Sequence, residues 1–329
     1  MSQLSVVVTD HVEPDLMWEG DQLAGMDVRL EVHQQRHAAA AELLDRVREA
    51  DVLIVNMARI DADVIGGLQR CRLIIRHGAG YENVDIDAAA ARGISVASIP
   101  DYCTEEVAEQ AWTLILASQR HLLTQRAALD ASAGSTDWDF SAMPPTYRLH
   151  GKTLGIIGYG RIGQVVARNA QGFGMRILAH SPSVSPGTAP HAGVEGASLT
   201  QILDEADVIT LHVPLNAGTR KLIGAEELAA MQSTAVLVNT SRGPVVDLAA
   251  LDKALNNGEI AAAGIDVYEQ EPPATDLAIL DNPRALCTPH LAWLSEEASW
   301  RIRELIIEEV RRHLDGFGPR MPVVARNRQ

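Results

Sequence analysis

Three features of the chain predict two doubly wound α/β domains. They are its 329-residue length, an alternation of short apolar runs with helix-compatible stretches along nearly all of it, and a glycine-rich turn that restarts this alternation near the middle. A single hydrophobic core stops growing near about 250–300 residues, so a chain of this size divides. Apolar runs at 4–8, 28–32, 52–55, 73–76 and 94–97 read as strands, with helical patterns between them. Strands separated by helices build a parallel sheet covered on both faces. After Pro100 the pattern changes: 104–128 reads as one long helix with Val107, Ala108, Ala111, Leu114, Ile115 and Leu122 on its apolar face, bridging the two domains. Residues 131–149 are rich in Gly, Ser, Pro and aromatics, including Trp138, Phe140 and Tyr147. They read as an extended arm that covers a site or grips a neighbouring subunit. A second series of strands follows at 154–157, 176–179, 208–212, 235–239, 262–266 and 285–288, then a last helix at 295–314 that returns to the first domain. The expected division is 1–103 with 297–329 for one domain and 104–296 for the other.

Composition narrows the class of partner. Hydrophobic residues make up 47% and charged residues 22%, an ordinary globular balance, and the formal net charge is -15. Neutralising nucleic-acid phosphates or an anionic membrane needs clustered Lys and Arg, which are scattered here, so neither partner is expected. Cys71, Cys103 and Cys287 are far apart with no C-x-x-C pair, and His33 and His37 lack an intervening glutamate and a third ligand. No disulfide framework and no metal site is signalled. Residues 1–10 show no basic stretch leading into an apolar run, and no 18-residue apolar segment occurs, so a cytoplasmic protein is expected.

The chemistry begins at Gly158-Tyr159-Gly160-Arg161-Ile162-Gly163, which joins the 154–157 strand to a helical pattern. Each glycine answers a demand: Gly158 makes the tight turn, Gly160 lets backbone approach a pyrophosphate, and Gly163 lets the helix pack on the strand. Phosphates then sit on the free N–H groups at the helix start. Past the next strand, about twenty residues on, an acid usually accepts hydrogen bonds from the ribose of NAD. Here Ser181 occupies that place, flanked by His180 and Ser183. Loss of the acid removes repulsion against a 2′-phosphate, although no Arg or Lys follows, so the expectation is NAD or NADP with a slight lean to NADP or dual use.

Three later segments end in reactive side chains beyond the carboxyl ends of strands. Arg242 lies in Asn239-Thr240-Ser241-Arg242-Gly243, and its planar fork of donors suits a carboxylate and an adjacent carbonyl oxygen. Glu271 closes the segment that begins at Gly264, and His290 follows Pro289. A carboxylate beside an imidazole favours its protonated form, and reducing a ketone with hydride requires a proton at the oxygen. Taken singly, Arg242 fits a surface ion pair and His290 a structural histidine. Together with Glu271 they make a binding group, a proton donor and its support.

These segments, in this order and spacing, resemble the D-isomer-specific 2-hydroxyacid dehydrogenases over nearly the whole chain. Within that family, Gly78-Ala79-Gly80-Tyr81-Glu82-Asn83-Val84-Asp85 and the run from His290 to Ser299 are most similar to the C-terminal-binding-protein branch. The resemblance implies a Rossmann-type cofactor domain beside a flavodoxin-like substrate domain. It implies the Arg242, Glu271 and His290 triad, Asp266 near the nicotinamide, and backbone N–H groups of Ala79 and Gly80 on the substrate carboxylate. Trp293 then lines the substrate pocket, and Val213, Pro214 and Thr219 with Thr240 and Ser241 border the cofactor. A homodimer built on the cofactor domains, with the 104–128 helix and the 131–149 arm buried, is implied as well. So is closure of a cleft hinged near 100–104 and 294–300. The expected activity is reduction of a small 2-oxo acid such as glyoxylate, hydroxypyruvate or pyruvate to its D-2-hydroxy acid. Family members acting on phosphorylated acids place an arginine near Asn56, which counts against phosphoglycerate; Arg59 follows in the same loop. The alternative is an NAD(H)-sensing interaction protein with little turnover.

Overall fold

A computed structural model describes residues 3–141 and 143–324; Ala142 of the expected arm and 325–329 of the expected tail, like Met1 and Ser2, lie outside the described residues. The chain forms two compact units, Met1–Cys103 with Ser295–Gln329, and Thr104–Leu294.

In the first unit the elements run β1 (Leu4–Val8), α1 (Met17–Leu23), β2 (Val28–Val32), α2 (Ala40–Val47), β3 (Val52–Val55), α3 (Ala62–Gly67), β4 (Leu73–Arg76), α4 (Ile86–Ala91) and β5 (Ser95–Ala97). In the second they run α5 (Thr104–Gln119), α6 (Leu122–Ser132), β6 (Thr153–Ile157), α7 (Arg161–Gly172), β7 (Arg176–His180), β8 (Val194–Gly196), α8 (Leu199–Glu205), β9 (Val208–Leu211), α9 (Ala225–Ala229), β10 (Val236–Asn239), α10 (Leu248–Asn257), β11 (Ala262–Ile265) and β12 (Ala285–Cys287). The first unit is completed by α11 (Glu296–Leu314) and β13 (Pro322–Val324).

The first sheet has the order β13-β5-β4-β3-β1-β2. Apart from β13 this is the flavodoxin-like order, and every pair except β13 with β5 is parallel. Its two faces carry separate apolar clusters. One includes Leu43, Val64 and Ile65; the other includes Ile302, Leu305 and Ile306 of α11, which is how the last helix belongs to this unit. The second sheet runs β12-β11-β10-β9-β6-β7-β8, all parallel, so chain direction across the sheet reverses between β6 and β9. Strand runs such as Leu154–Ile157 and Val236–Val238 are buried throughout because helices cover both faces. Among the described residues no helix is long and apolar enough to cross a membrane.

Three local features differ from the sequence reading. The expected 104–128 helix is two helices, broken where His121 takes a left-handed backbone (φ 51°) and turns the path between α5 and α6. The apolar spacing runs on from Ile115 to Leu122 across this point, so periodicity does not reveal a break set by one residue's φ. Strand β8 was not expected, because Val194-Glu195-Gly196 is too short to show alternation. Nor was β13, the antiparallel edge: its pairing with β5 closes a contact more than 220 residues apart in sequence.

Candidate active site

The glycine turn is set by close backbone approach. Gly158 has φ +101°, and a Cβ there would run into the backbone of His212; a Cβ on Gly163 would run into the Gly158 carbonyl oxygen. The first contact holds the end of β6 against the end of β9, the place where strand order reverses and doubly wound sheets bind ligands. Gly160, the residue before α7, has open space where its Cβ would be and caps the helix with no side chain. The helix start therefore offers uncapped N–H groups beside a surface without a side chain, a fit for an anionic pyrophosphate. Arg161 and Gly160 are exposed there, Ile162 is half-buried and Gly163 buried. Tyr159 is buried, and its hydroxyl lies 2.9 Å from His191 Nδ1, tying the turn to the loop between β7 and β8.

At the end of β7, the His180 carbonyl accepts from the Gly158 N–H (2.8 Å), and its Nδ1 pairs with the Ala197 carbonyl (3.1 Å). Ser181 Oγ lies 2.8 Å from Ser183 Oγ and accepts from the Ser183 N–H (3.2 Å). The strand end thus carries hydroxyls and no carboxylate. Across the turn, Thr219 Oγ1 donates to the Pro214 carbonyl (2.6 Å) and accepts from the Asn216 N–H (2.8 Å), which shapes the loop that follows Val213. Thr240 is buried with its Oγ1 unpartnered among the described residues. A buried hydroxyl without a partner is costly, and a bound ligand group would relieve it.

Arg242, Glu271 and His290 all belong to the second unit, and the local structure explains their meeting. Asn239 ends β10 fully buried; its Oδ1 accepts from the Ser241 N–H (3.0 Å) and hydroxyl (2.7 Å), and its Nδ2 donates to the Arg242 carbonyl (2.9 Å). The turn is thereby fixed, with Arg242 half-buried. Next, Gly243 lies so close to Tyr268 that a Cβ would strike the Tyr268 carbonyl group, which brings the Arg242 turn against the segment leading to Glu271. Glu271 Oε1 accepts from the Tyr268 N–H (3.0 Å), and Oε2 lies 2.6 Å from His290 Nδ1.

Asp266 supports the histidine from beneath. It is fully buried at the end of β11, and its carboxylate accepts from Thr288 Oγ1 (2.5 Å), the Leu291 N–H (3.1 Å) and the Ala292 N–H (2.9 Å), while its carbonyl accepts from the His290 N–H (2.8 Å). These bonds hold His290 in the left-handed region (φ 54°), which costs a residue with a Cβ about 1–2 kcal/mol. Since Nδ1 faces Glu271, Nε2 is the ring nitrogen presented outward. Burial pushes the Glu271 carboxyl up, but the hydrogen bond and charge of His290, with the Tyr268 N–H and the Arg242 charge, more than offset it. Glu271 therefore lies below the ordinary carboxylate range.

The structure therefore unites the three expected catalytic side chains and places Thr240 and Ser241 in the same turn as Arg242. It turns both Asp266 oxygens toward the His290 loop. Trp293 is half-buried one residue past Ala292. Ala79 and Gly80 lie in the first unit, in the turn after β4, where among the described residues their N–H groups have no backbone partner. Sequence reasoning missed Asn239 and Thr288, which scaffold Arg242 and Asp266. The available signal was polarity at the last position of an apolar strand. His212 was missed too: burial pushes its imidazole down to about 3, so it is a neutral ring beside Gly158.

A fold with a phosphate-binding switch point and a carboxylate-supported imidazole beside an arginine defines a nicotinamide-dependent oxidoreductase. Residues 112–292 match the family model described as the D-isomer specific 2-hydroxyacid dehydrogenase NAD binding domain. The chain is 40% identical over 291 residues to a glyoxylate reductase of Thermococcus kodakarensis, covering 86% of this chain and 85% of that one. Among solved structures, the TT0316 protein of Thermus thermophilus superposes with a TM-score of 0.86 at 35% identity, covering 98% of this chain and 100% of that one. An NADPH-dependent glyoxylate/hydroxypyruvate reductase of Sinorhizobium meliloti, in complex with NADP and malonate, superposes with a TM-score of 0.85 at 29% identity over the full length of both. The chain belongs to the D-isomer specific 2-hydroxyacid dehydrogenase family. These likenesses do not single out the C-terminal-binding-protein branch.

Because burial raises the Glu271 carboxyl while His290 is the largest influence lowering it, removing the imidazole leaves burial opposed only by the Tyr268 N–H and the Arg242 charge. In His290→Ala the Glu271 carboxyl should titrate at higher pH than in the parent, read by 13C NMR of the labelled side chain. The sign for stability follows. A depressed carboxylate contributes above its unfolded pKa and loses that contribution as pH falls through the folded value, so the variant should lose less stability on acidification than the parent.

Proposed function

We propose that the protein reduces small 2-oxo acids to D-2-hydroxy acids with NADH or NADPH, and that Arg242, His290 and Glu271 perform the protein's share. The observation that carries this reading is the 2.6 Å contact between Glu271 and His290 Nδ1, beside an arginine held by Asn239. The cofactor would be held by the first-turn N–H groups of α7 at Arg161, Ile162 and Gly163, the 213–219 loop with Val213, Pro214 and Thr219, the Thr240 hydroxyl, and His180 with Ser181 at the ribose. The chemistry a bound NADH or NADPH would supply is hydride for the carbonyl carbon, with oxidation of the cofactor balancing reduction of the 2-oxo acid.

The protein's residues do the remainder. Arg242 pairs with the substrate carboxylate and polarises the carbonyl oxygen. Trp293, in the same unit as Arg242 and His290, covers the substrate. His290 Nε2 delivers the proton to the oxygen as its negative charge develops, so hydride and proton together convert C=O into CH–OH. Glu271 stabilises the imidazolium before that transfer, and the neutral ring then regains a proton from solvent. Asp266 acts through position, holding the loop that aims His290. Asn56, where an arginine would serve a phosphorylated acid, is buried. An uncharged amide at that position offers no cation for a phosphate, which favours unphosphorylated acids.

Two finer assignments belong to this reading. The protein acts as a homodimer through α5, α6 and the 131–149 arm. Trp138 and Phe140 stand exposed on that arm, and a cavity of about 240 Å³ lined by Leu122, Pro145, Tyr147 and Leu286 lies beside it, apolar surface of the kind a second copy covers. It works in the cytoplasm, where Cys71, Cys103 and Cys287 stay as the free thiols seen here.

Mixing the protein with NADH or NADPH and glyoxylate, hydroxypyruvate or pyruvate should consume reduced cofactor. His290→Ala should lower kcat by about 10²–10⁴-fold with little change in cofactor Kd. Tight cofactor binding without turnover on any 2-oxo acid would point instead to a nucleotide sensor. Ser181→Asp restores the ribose-binding acid and should reduce kcat/KM for NADPH more than for NADH, measured side by side. Light scattering should give twice the 35.5 kDa chain mass, and Trp138→Ser with Phe140→Ser should shift the population toward monomer.

A further inference from the structure

Tyr268 touches the scaffold of all three reactive side chains, each through a different group, and lies with them in the second unit. Its N–H donates to Glu271 Oε1 (3.0 Å). Its carbonyl group is the one against which Gly243 packs, next to Arg242. Its hydroxyl donates to the Thr288 carbonyl (3.0 Å), two residues before His290. The first two contacts are made by backbone, and many residues could make them. The third needs a phenol.

Packing alone does not account for that hydroxyl. Tyr268 is 6% exposed, and its ring belongs to an apolar cluster with Leu237, Ile265 and Ile279, which a phenylalanine would also fill. A hydroxyl in such a setting is costly unless it is bonded. Burial, with Cys287, Asp266 and Glu271 nearby, pushes the phenol far above its ordinary range, so it remains a donor at any pH where the protein works. Its acceptor stands at the start of the histidine turn, since the Thr288 carbonyl also accepts from the His290 N–H (3.1 Å). The Thr288 hydroxyl is held as well, donating to Asp266 and accepting from Gln110 Nε2 (3.3 Å). Thr288 is thus gripped through both its oxygens, and Tyr268 is the partner that also bonds Glu271. A path from Glu271 through Tyr268 and Thr288 to His290 therefore runs beside the direct contact of Glu271 Oε2 with His290 Nδ1 (2.6 Å). The two together close a ring of bonds around the pair.

We propose that Tyr268 is a positioning residue for the reduction, its hydroxyl setting the Glu271 carboxylate and the His290 ring at their contact distance. This rests on the 2-oxo acid reading of Arg242, Glu271 and His290, and goes beyond it by assigning the group that keeps the acid and the ring together. Without the hydroxyl the Thr288 carbonyl loses a donor, the turn shifts against Glu271, and the ring that delivers the proton loses its aim. The net worth of one ordinary hydrogen bond corresponds to about three- to tenfold in an equilibrium or a rate.

The test compares the parent with Tyr268→Phe, which keeps the ring, and Tyr268→Leu, which loses ring and hydroxyl together. Measured on each are kcat and KM for whichever of glyoxylate, hydroxypyruvate and pyruvate the parent reduces, cofactor Kd, thermal unfolding, and the titration of the 13C-labelled Glu271 carboxyl without ligand. In Tyr268→Phe kcat should fall about three- to tenfold with cofactor Kd unchanged. The Glu271 carboxyl, less well held by His290, should titrate at higher pH than in the parent. Tyr268→Leu should show the same Glu271 displacement and lose thermal stability besides. A Tyr268→Phe variant that matches the parent in kcat and in the Glu271 titration, with losses confined to Tyr268→Leu, would overturn the inference and leave ring packing as the residue's role. An unmoved Glu271 titration in Tyr268→Phe would overturn it whatever kcat does. If the parent reduces no 2-oxo acid, the catalytic reading fails by itself, and the Glu271 titration, which needs no turnover, still decides whether the hydroxyl sets the pair.

Discussion

A single buried carboxylate organises the second unit's chemistry. Asp266 has no access to water, and a carboxyl group in that setting is tolerable only when its oxygens are hydrogen-bonded. The Thr288 hydroxyl and the N–H groups of Leu291 and Ala292 bond them, and all three donors come from the loop that follows β12. The loop therefore has one low-energy path, which carries His290 through a left-handed conformation that the residue would not choose by itself. Strain at His290 and satisfaction of Asp266 are two aspects of the same arrangement. The resulting ring orientation gives Nδ1 to Glu271 and leaves Nε2 on the other side of the ring.

A second constraint is steric, and it acts at both ends of the site. Gly158 against His212 and Gly243 against Tyr268 are contacts between backbones with no room for a side chain. The first draws β6 and β9 together where the strand order reverses, making the dinucleotide turn. The second draws the end of β10 against the segment after β11, setting Arg242 near Glu271. Electrostatics then follows from packing: the Glu271 carboxyl is depressed because the cation-bearing groups are held within reach, despite a burial that alone would raise it.

Strands and their order of appearance were legible in the sequence because parallel strands buried on both faces are short, unbroken apolar runs. The runs at 4–8, 52–55 and 73–76 coincide with β1, β3 and β4, while the edge strand β2 was legible through the alternation of Val28-Arg29-Leu30-Glu31-Val32. Conformations imposed by one residue were not legible: the left-handed His121 splits α5 from α6 while hydrophobic spacing continues across it, and β13 depends on a partner far away in sequence. The same distinction holds at the site. Arg242, Glu271 and His290 stand out because reactive groups directly after strand ends are chemically conspicuous. Asn239 and Thr288 do not, since an uncharged polar residue near a strand or turn has many ordinary uses. Their importance comes from which backbone groups they reach, and that is a property of the folded chain.

The protein carries a net charge of -15 yet is built to bind anions, a carboxylate at one point and a pyrophosphate at another. A long-range positive field cannot be the means, so attraction must be local and short-ranged. The helix ends show how this is achieved. Asp61, Asp85, Ser198, Asp247 and Ser295 each cap the helix that follows with a side-chain oxygen. Those caps occupy N–H groups that would otherwise attract anions. At α7 the capping residue is Gly160, which supplies no oxygen, and the first residue within the helix is the exposed Arg161. The starts of α1, α2 and α6 also lack a side-chain cap, so what sets α7 apart is the combination of free first-turn N–H groups with the close backbone approach at Gly158 and the open space at Gly160.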